Sequence, residues 1–157
     1  MLVRILRRLT VEEVKRQLKE LEATYDMPFA EFEEKLLEAS NPEEKIVEAY
    51  LKWANLMNAY HGYVEGGELH CVVEKQLDFS WDELKSLTPR RLELLYTLSD
   101  LRVESINNLA HKVRRDVKNV YLDLQILKKL GLVNLVKKKD GRVIPEPIVE
   151  EVTFALQ

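Results

Sequence analysis

The sequence predicts a mostly helical α+β protein of 157 residues, and three observations support this class. Amphipathic segments with helix-capping residues recur along the N-terminal part of the chain. Three further short helices are expected in succession between residues 88 and 130. Two extended segments then flank an Asp140-Gly141 pair, which is a strong signal for a β-hairpin.

The N-terminal region, residues 1–65, is expected to form a small group of helices. Thr10 precedes an acidic turn, as a helix cap does, and prolines at positions 28 and 42 suit the starts of two more helices. Apolar residues recur at helical spacing on each of them. The expected bounds are Thr10 to Tyr25, Pro28 to Ala39 and Glu43 to Tyr60.

Glycines at positions 62, 66 and 67 end this pattern, and they place the boundary between two domains there. The second domain is expected to span residues 66–157. β-Branched residues in the segment Leu69–Leu77 predict a strand at its start. Ser80 is then expected to cap a short helix, Trp81–Leu87.

The segment after residue 87 has the element order of a winged helix-turn-helix, a fold that presents its third helix to the major groove of DNA. Thr88 and Pro89 suit the start of its first helix. Ser105 caps a second helix that ends near Val113. A third helix begins after Asp116, runs to Leu130 and is stopped by Gly131, and the predicted hairpin follows it.

Charge is distributed unevenly along the chain, and this distribution favours a nucleic-acid partner for the second half. The net charge is -3, but residues 1–87 carry 11 Lys/Arg against 18 Asp/Glu, whereas residues 88–157 carry 13 against 9. Between Val113 and Arg142 there are nine basic residues and three acidic ones. Because electrostatic attraction is local, this basic cluster matters more for binding than the net charge of the whole chain.

The third helix and the hairpin hold the candidate DNA-binding residues. Val117, Val120 and Leu124 are expected to face the core, which leaves Lys118 and Asn119 pointing away from it. Lysine can reach guanine or a phosphate, and asparagine can form a two-point contact with adenine. The full set of predicted DNA contacts is Arg114, Arg115, Lys118, Asn119, Tyr121, Lys137, Lys138, Lys139 and Arg142.

Each of these residues also has an ordinary structural interpretation. Arg114 and Arg115 suit a solvated turn, Tyr121 suits packing, and the lysines at 137–139 suit a charged strand edge that discourages pairing. Their concentration on one helix and one hairpin favours DNA contact for the group.

Four segments of the second domain carry a resemblance to a known family. They are Leu87–Leu95 (LTPRRLELL), Ser105–Ala110 (SINNLA), Arg115–Val120 (RDVKNV) and Leu127–Val133 (LKKLGLV). The chain here resembles archaeal transcriptional regulators with a MarR-like winged helix, and the resemblance covers residues 69–156. It implies a DNA-binding regulator, with roles for Arg115, Lys118 and Asn119. The chain departs from the pattern at Tyr121-Leu122, where polar or basic residues are expected.

The expected partners are double-stranded DNA and a second copy of the chain. Short acidic helices in the N-terminal region need a surface to pack against, and many regulators of this fold dimerise on two half-sites. Two alternatives remain. Leu21–Leu36 is similar to a segment of archaeal antitoxin-like proteins, which suggests an autoregulator with a toxin partner. Exposure of Leu122 would instead suit a protein-interaction adaptor.

Other classes of function find little support in the sequence. His61, His70 and Cys71 are the only group with metal-ligating side chains, at a spacing that matches no zinc motif. No nucleophile elbow or phosphate-binding loop is present, so we expect neither catalysis nor a cofactor. One cysteine and no long apolar run indicate a cytoplasmic protein without a membrane segment.

Overall fold

The computed structural model describes residues 1–156 and confirms a mostly helical α+β protein. The described residues form seven helices and five strands. They divide into two compact units. One unit is Arg8–Val72, and the other combines Met1–Arg7 with the described residues from Val73 onward.

The unit Arg8–Val72 is built from three helices around an aromatic core. Phe32 and Trp53 are almost fully buried, and their ring centroids lie 5.2 Å apart. Thr10 caps the first helix, as predicted, and forms a capping box: its hydroxyl accepts from the Glu13 amide while the Glu13 carboxylate accepts from the Thr10 amide. The helices are α1 (Val11–Tyr25), α2 (Phe29–Glu38) and α3 (Glu44–Gly66).

Helix α3 is longer than the sequence pattern predicts, since it runs to Gly66 and includes Gly62. An internal glycine costs a helix only about 1 kcal/mol relative to alanine, which the flanking turns can offset. Gly67 ends the helix with a left-handed backbone (φ 78°), and its amide donates to the Tyr63 carbonyl oxygen at 2.8 Å. Of the three glycines, Gly67 is therefore the one that ends the helix.

The other unit combines a three-stranded sheet, four helices and a hairpin. None of the helices in residues 1–156 is both long and apolar enough to cross a membrane. The strands are β1 (Leu2–Arg8), β2 (Val72–Asp78), β3 (Val133–Lys137), β4 (Val143–Pro147) and β5 (Val149–Phe154). The helices are α4 (Trp81–Ser86), α5 (Pro89–Asp100), α6 (Ile106–Val113) and α7 (Val117–Lys129).

The three-stranded sheet has the order β2-β1-β5, and two of its strands were not predicted. Strand β1 is antiparallel to β5, with Val3 opposite Phe154 and Ile5 opposite Val152. Val3 and Ile5 are buried on one face, whereas Arg4 between them is exposed. This alternation is the signal that could have identified β1. Because β1 pairs here, the observed division differs from the predicted domains 1–65 and 66–157.

Helices α5, α6 and α7 and the hairpin follow the predicted order closely. Ser105 and Asp116 cap α6 and α7 through their side chains, as predicted. Thr88 occupies the cap position of α5 but makes no side-chain cap hydrogen bond. Strands β3 and β4 pair antiparallel, with Val133 opposite Pro147. The shared core includes Leu94, Leu98, Leu109, Val120, Leu124, Leu127, Leu132 and Val133.

Candidate functional site

The connection between α6 and α7 is a tight turn with defined backbone contacts. Arg114 ends α6 in the left-handed conformation (φ 53°, ψ 48°). The Arg115 amide donates to the Ala110 carbonyl oxygen at 3.0 Å. The Asp116 carboxylate then accepts from the Asn119 amide at 3.2 Å and begins α7. These contacts set the direction in which α7 leaves the turn.

Helix α7 has one buried face and one exposed face. Val120, Leu124 and Leu127 are fully buried. Lys118 and Asn119 are exposed, as predicted, and the described residues offer no partner to either side chain. Val117 differs from its predicted place on the core face, because it lies at the first position of the helix and is 42% exposed.

Asp123 bridges two arginines from separate parts of the same unit. Its Oδ1 accepts from Arg91 Nε at 2.9 Å, and its Oδ2 accepts from Arg115 Nη2 at 2.6 Å. The side chains of Asp123, Arg91 and Arg115 are only 14%, 20% and 19% exposed, respectively. Arg91 also donates through Nη1 to the Ser86 carbonyl oxygen at 2.6 Å. The bridge therefore ties the middle of α7 to α5, to the turn before α7 and to the residue that ends α4.

The charged neighbours of Asp123 determine its protonation. Burial alone would raise the pKa of this carboxyl, but hydrogen bonds and charge from Arg115 and Arg91 outweigh burial and hold its pKa below the usual value. Asp123 is thus ionised at neutral pH. We refer to Arg91, Asp123 and Arg115 as the buried ion-pair cluster.

The cluster changes the interpretation of Arg115. The sequence suggested an arginine exposed in a turn, available to phosphate or solvent, whereas the structure directs its guanidinium inward to Asp123. Its Nη1 is buried and has no hydrogen-bond partner in the described part of the chain. Sequence reasoning missed this arrangement because Arg91 and Asp123 lie 32 positions apart and belong to different helices.

Four basic residues lie at the tip of the hairpin. Three of them are unpaired among the described residues, and the fourth forms an ion pair. Lys137, Lys138 and Lys139 are exposed, and no described residue pairs with their side chains. Arg142 instead donates through Nε to Asp140 Oδ2 at 2.7 Å. The same contacts with Arg142, through its amide and its side chain, lower the pKa of Asp140.

A groove of about 950 Å³ runs between the first turn of α5 and one flank of α7. The α7 residues that line it include Asn119, Leu122 and Ile126, a spacing of three and four that defines one flank of a helix. Arg90 and Pro89 line the α5 side. Tyr121 is 44% exposed and does not line the groove.

The metal-ligand candidates of the sequence do not form a cluster. Cys71 is 2% exposed, and burial raises the pKa of its thiol. His61 is exposed, and the exposed His70 has its Nε2 3.5 Å from Glu68 Oε2. Residues 1–156 contain no group of three or more His, Cys, Asp or Glu side chains able to hold a metal ion.

A protein-family model described as HVO_A0114 matches residues 86–150. This segment includes α5, α6, α7 and the hairpin, and it is less than half of the chain of 157 residues. The chain is similar to that family over these elements. No curated protein and no solved structure matches the chain.

Proposed function

We propose that this chain is a non-enzymatic transcriptional regulator that binds double-stranded DNA as a dimer, through a winged helix-turn-helix of the MarR-like type. Two observations carry the proposal: within residues 1–156, Lys118 and Asn119 are exposed and unpaired on α7, and the tip of the hairpin carries exposed lysines. A helix of this kind fits the major groove of DNA, and a basic hairpin fits the adjacent backbone.

The exposed residues take different roles in this proposal. Lys118 and Asn119 read base edges, because both lie in the first turn of α7 and have uncommitted side chains. Arg114, Tyr121, Arg142 and the three hairpin lysines contact phosphates. Arg115 supports α7 through Asp123 and does not itself need to reach DNA.

Fluorescence anisotropy against the DNA upstream of its own gene tests the proposal. The full chain is titrated onto that duplex and onto a scrambled duplex, at two salt concentrations. We expect tight binding to the upstream duplex, with two chains per duplex. Equally weak and steeply salt-dependent binding to both duplexes would show only general charge attraction and contradict the proposal.

Replacing Lys137, Lys138 and Lys139 by alanine is expected to weaken binding to every duplex. Removing a lysine that touches a phosphate should reduce the slope of log K against log salt by about 0.9. These side chains are exposed and make no internal bonds, so the fold should not change. The matched control replaces all three by arginine, which keeps the charge and should keep the slope. An unchanged slope in the alanine variant would remove the hairpin from the interface.

A protein-interaction adaptor is the second candidate, and exposed apolar residues on α7 favour it. Val117, Tyr121 and Leu122 are 42%, 44% and 49% exposed. Apolar side chains in this position suit a protein surface better than a polar groove of DNA. If the anisotropy experiment gives no preference for the upstream duplex, this candidate becomes the better explanation of α7.

A further inference from the structure

We propose that the groove between α5 and α7 receives one strand of the DNA backbone and that Arg90 is a phosphate contact, which the sequence did not indicate. This inference rests on the proposed function and adds a second contact element to it. Its residues lie in one compact unit, on the two walls of a single groove.

The widths of an α-helix and of the DNA major groove place a phosphate backbone in the groove between α5 and α7. An α-helix is about 10–12 Å across with its side chains, and the major groove is about 12 Å wide, so a helix in the groove has a phosphate backbone on each side. One flank of α7 carries Asn119, Leu122 and Ile126 and forms a wall of the groove. A duplex that contacts Asn119 therefore brings one backbone toward the opposite wall, which is the first turn of α5.

Charge in the groove favours an anion. Three arginines line it (Arg90, Arg91 and Arg115), against a single carboxylate, Asp123. Asp123 already neutralises part of the charge of Arg91 and Arg115. Arg90 is exposed and has no ion-pair or hydrogen-bond partner for its side chain among residues 1–156, so its guanidinium is available for an external phosphate.

The position of Arg90 strengthens this assignment. Arg90 follows Pro89 in the first turn of α5, where the helix dipole adds a partial positive charge. No acidic side chain occupies that turn. An acidic peptide could satisfy the same charges. The groove, however, shares Asn119 and Leu122 with the exposed face of α7, and this favours DNA, the ligand proposed for that face.

Arg90→Ala tests the inference, with Arg102→Ala as the matched control. Arg102 is also exposed, and it follows the opposite end of α5, whose 12 residues span about 18 Å at 1.5 Å per residue. We expect Arg90→Ala to weaken binding to the upstream duplex about tenfold and to reduce the salt slope by about 0.9. Arg102→Ala should leave both quantities close to those of the unchanged chain.

The outcomes separate this inference from the proposed function. Normal affinity in Arg90→Ala, with weakened binding when Lys118 and Asn119 are replaced, would overturn the role of the groove and leave the regulator intact. Equal losses in Arg90→Ala and Arg102→Ala would also overturn it, because general charge would then explain both. A chain that prefers no duplex at all would contradict the proposed function itself.

Discussion

Asp123→Ala is expected to lower the free energy of unfolding by about 3 kcal/mol, because it leaves two largely buried guanidinium groups without their carboxylate. Arg91 and Arg115 are only 20% and 19% exposed and converge on this one side chain. Arg115 already has a buried Nη1 without a partner among the described residues, so removing the acceptor of its Nη2 adds a second unsatisfied donor. Urea denaturation followed by circular dichroism measures the change.

Asp140→Ala provides the matched control for this experiment. Asp140 also pairs with an arginine, but it and Arg142 are 52% and 55% exposed at the tip of the hairpin. Solvent screens an exposed ion pair, so this variant should unfold at nearly the normal urea concentration. Equal destabilisation by the two substitutions would show that the buried ion-pair cluster has no special role.

The contribution of Asp123 also has a defined pH dependence. Its pKa in the folded chain lies below the usual value, so its stabilisation is complete above the unfolded pKa of about 3.9. That stabilisation is lost as the pH falls through the folded pKa. The gap in unfolding free energy between the unchanged chain and Asp123→Asn should therefore narrow below about pH 4. A constant gap from about pH 6 to about pH 3 would mean that ionisation of Asp123 is not responsible.

Replacing Lys118 and Asn119 together by alanine is expected to remove most of the preference for the upstream duplex. Each good base contact contributes roughly 1–3 kcal/mol of discrimination, so the two substitutions should together cost about 2–6 kcal/mol of it. Both side chains are exposed, and alanine favours the helix, so stability should be preserved. Competition anisotropy with the upstream and scrambled duplexes measures the preference directly.

The hairpin lysines and Lys128 are the comparisons for this double variant. Lys128→Ala removes one exposed charge from the far end of α7 and should leave the preference unchanged. The triple hairpin variant should lose affinity equally for both duplexes. If the Lys118 and Asn119 variant also lost affinity equally for both, the division between base reading and backbone contact would be wrong.

Local signals in the sequence predicted most helices of the chain well. The caps at Thr10, Ser105 and Asp116 form their side-chain bonds at the predicted positions, because a cap and its amide are three residues apart. Asp140-Gly141 likewise forms the turn of the hairpin, and Gly141 has a φ of 88° that glycine adopts readily. Such interactions are complete within a few residues, so they can be recognised without the tertiary structure.

The exposed face of α7 could also be predicted from the sequence. The ion pairs that hold α7 in place could not. Helical spacing alone separates Lys118 and Asn119 from Val120 and Leu124. The same spacing says nothing about Asp123, which lies between the two faces and acquires its role from arginines 8 and 32 positions away. Arg90 was overlooked for a related reason, since its value as a candidate depends on the groove that α7 forms beside it.

The sequence by itself determined the order of helices and hairpin in the second half, together with the side chains that α7 exposes. Only the tertiary structure decided that β1 pairs with β5 at the other end of the chain, that Arg115 turns inward and that Arg90 stays uncommitted. The physical reason is distance along the chain. Caps, turns and helical periodicity act between neighbouring residues, whereas strand pairing and bridging ion pairs depend on which distant segments the packed core brings together.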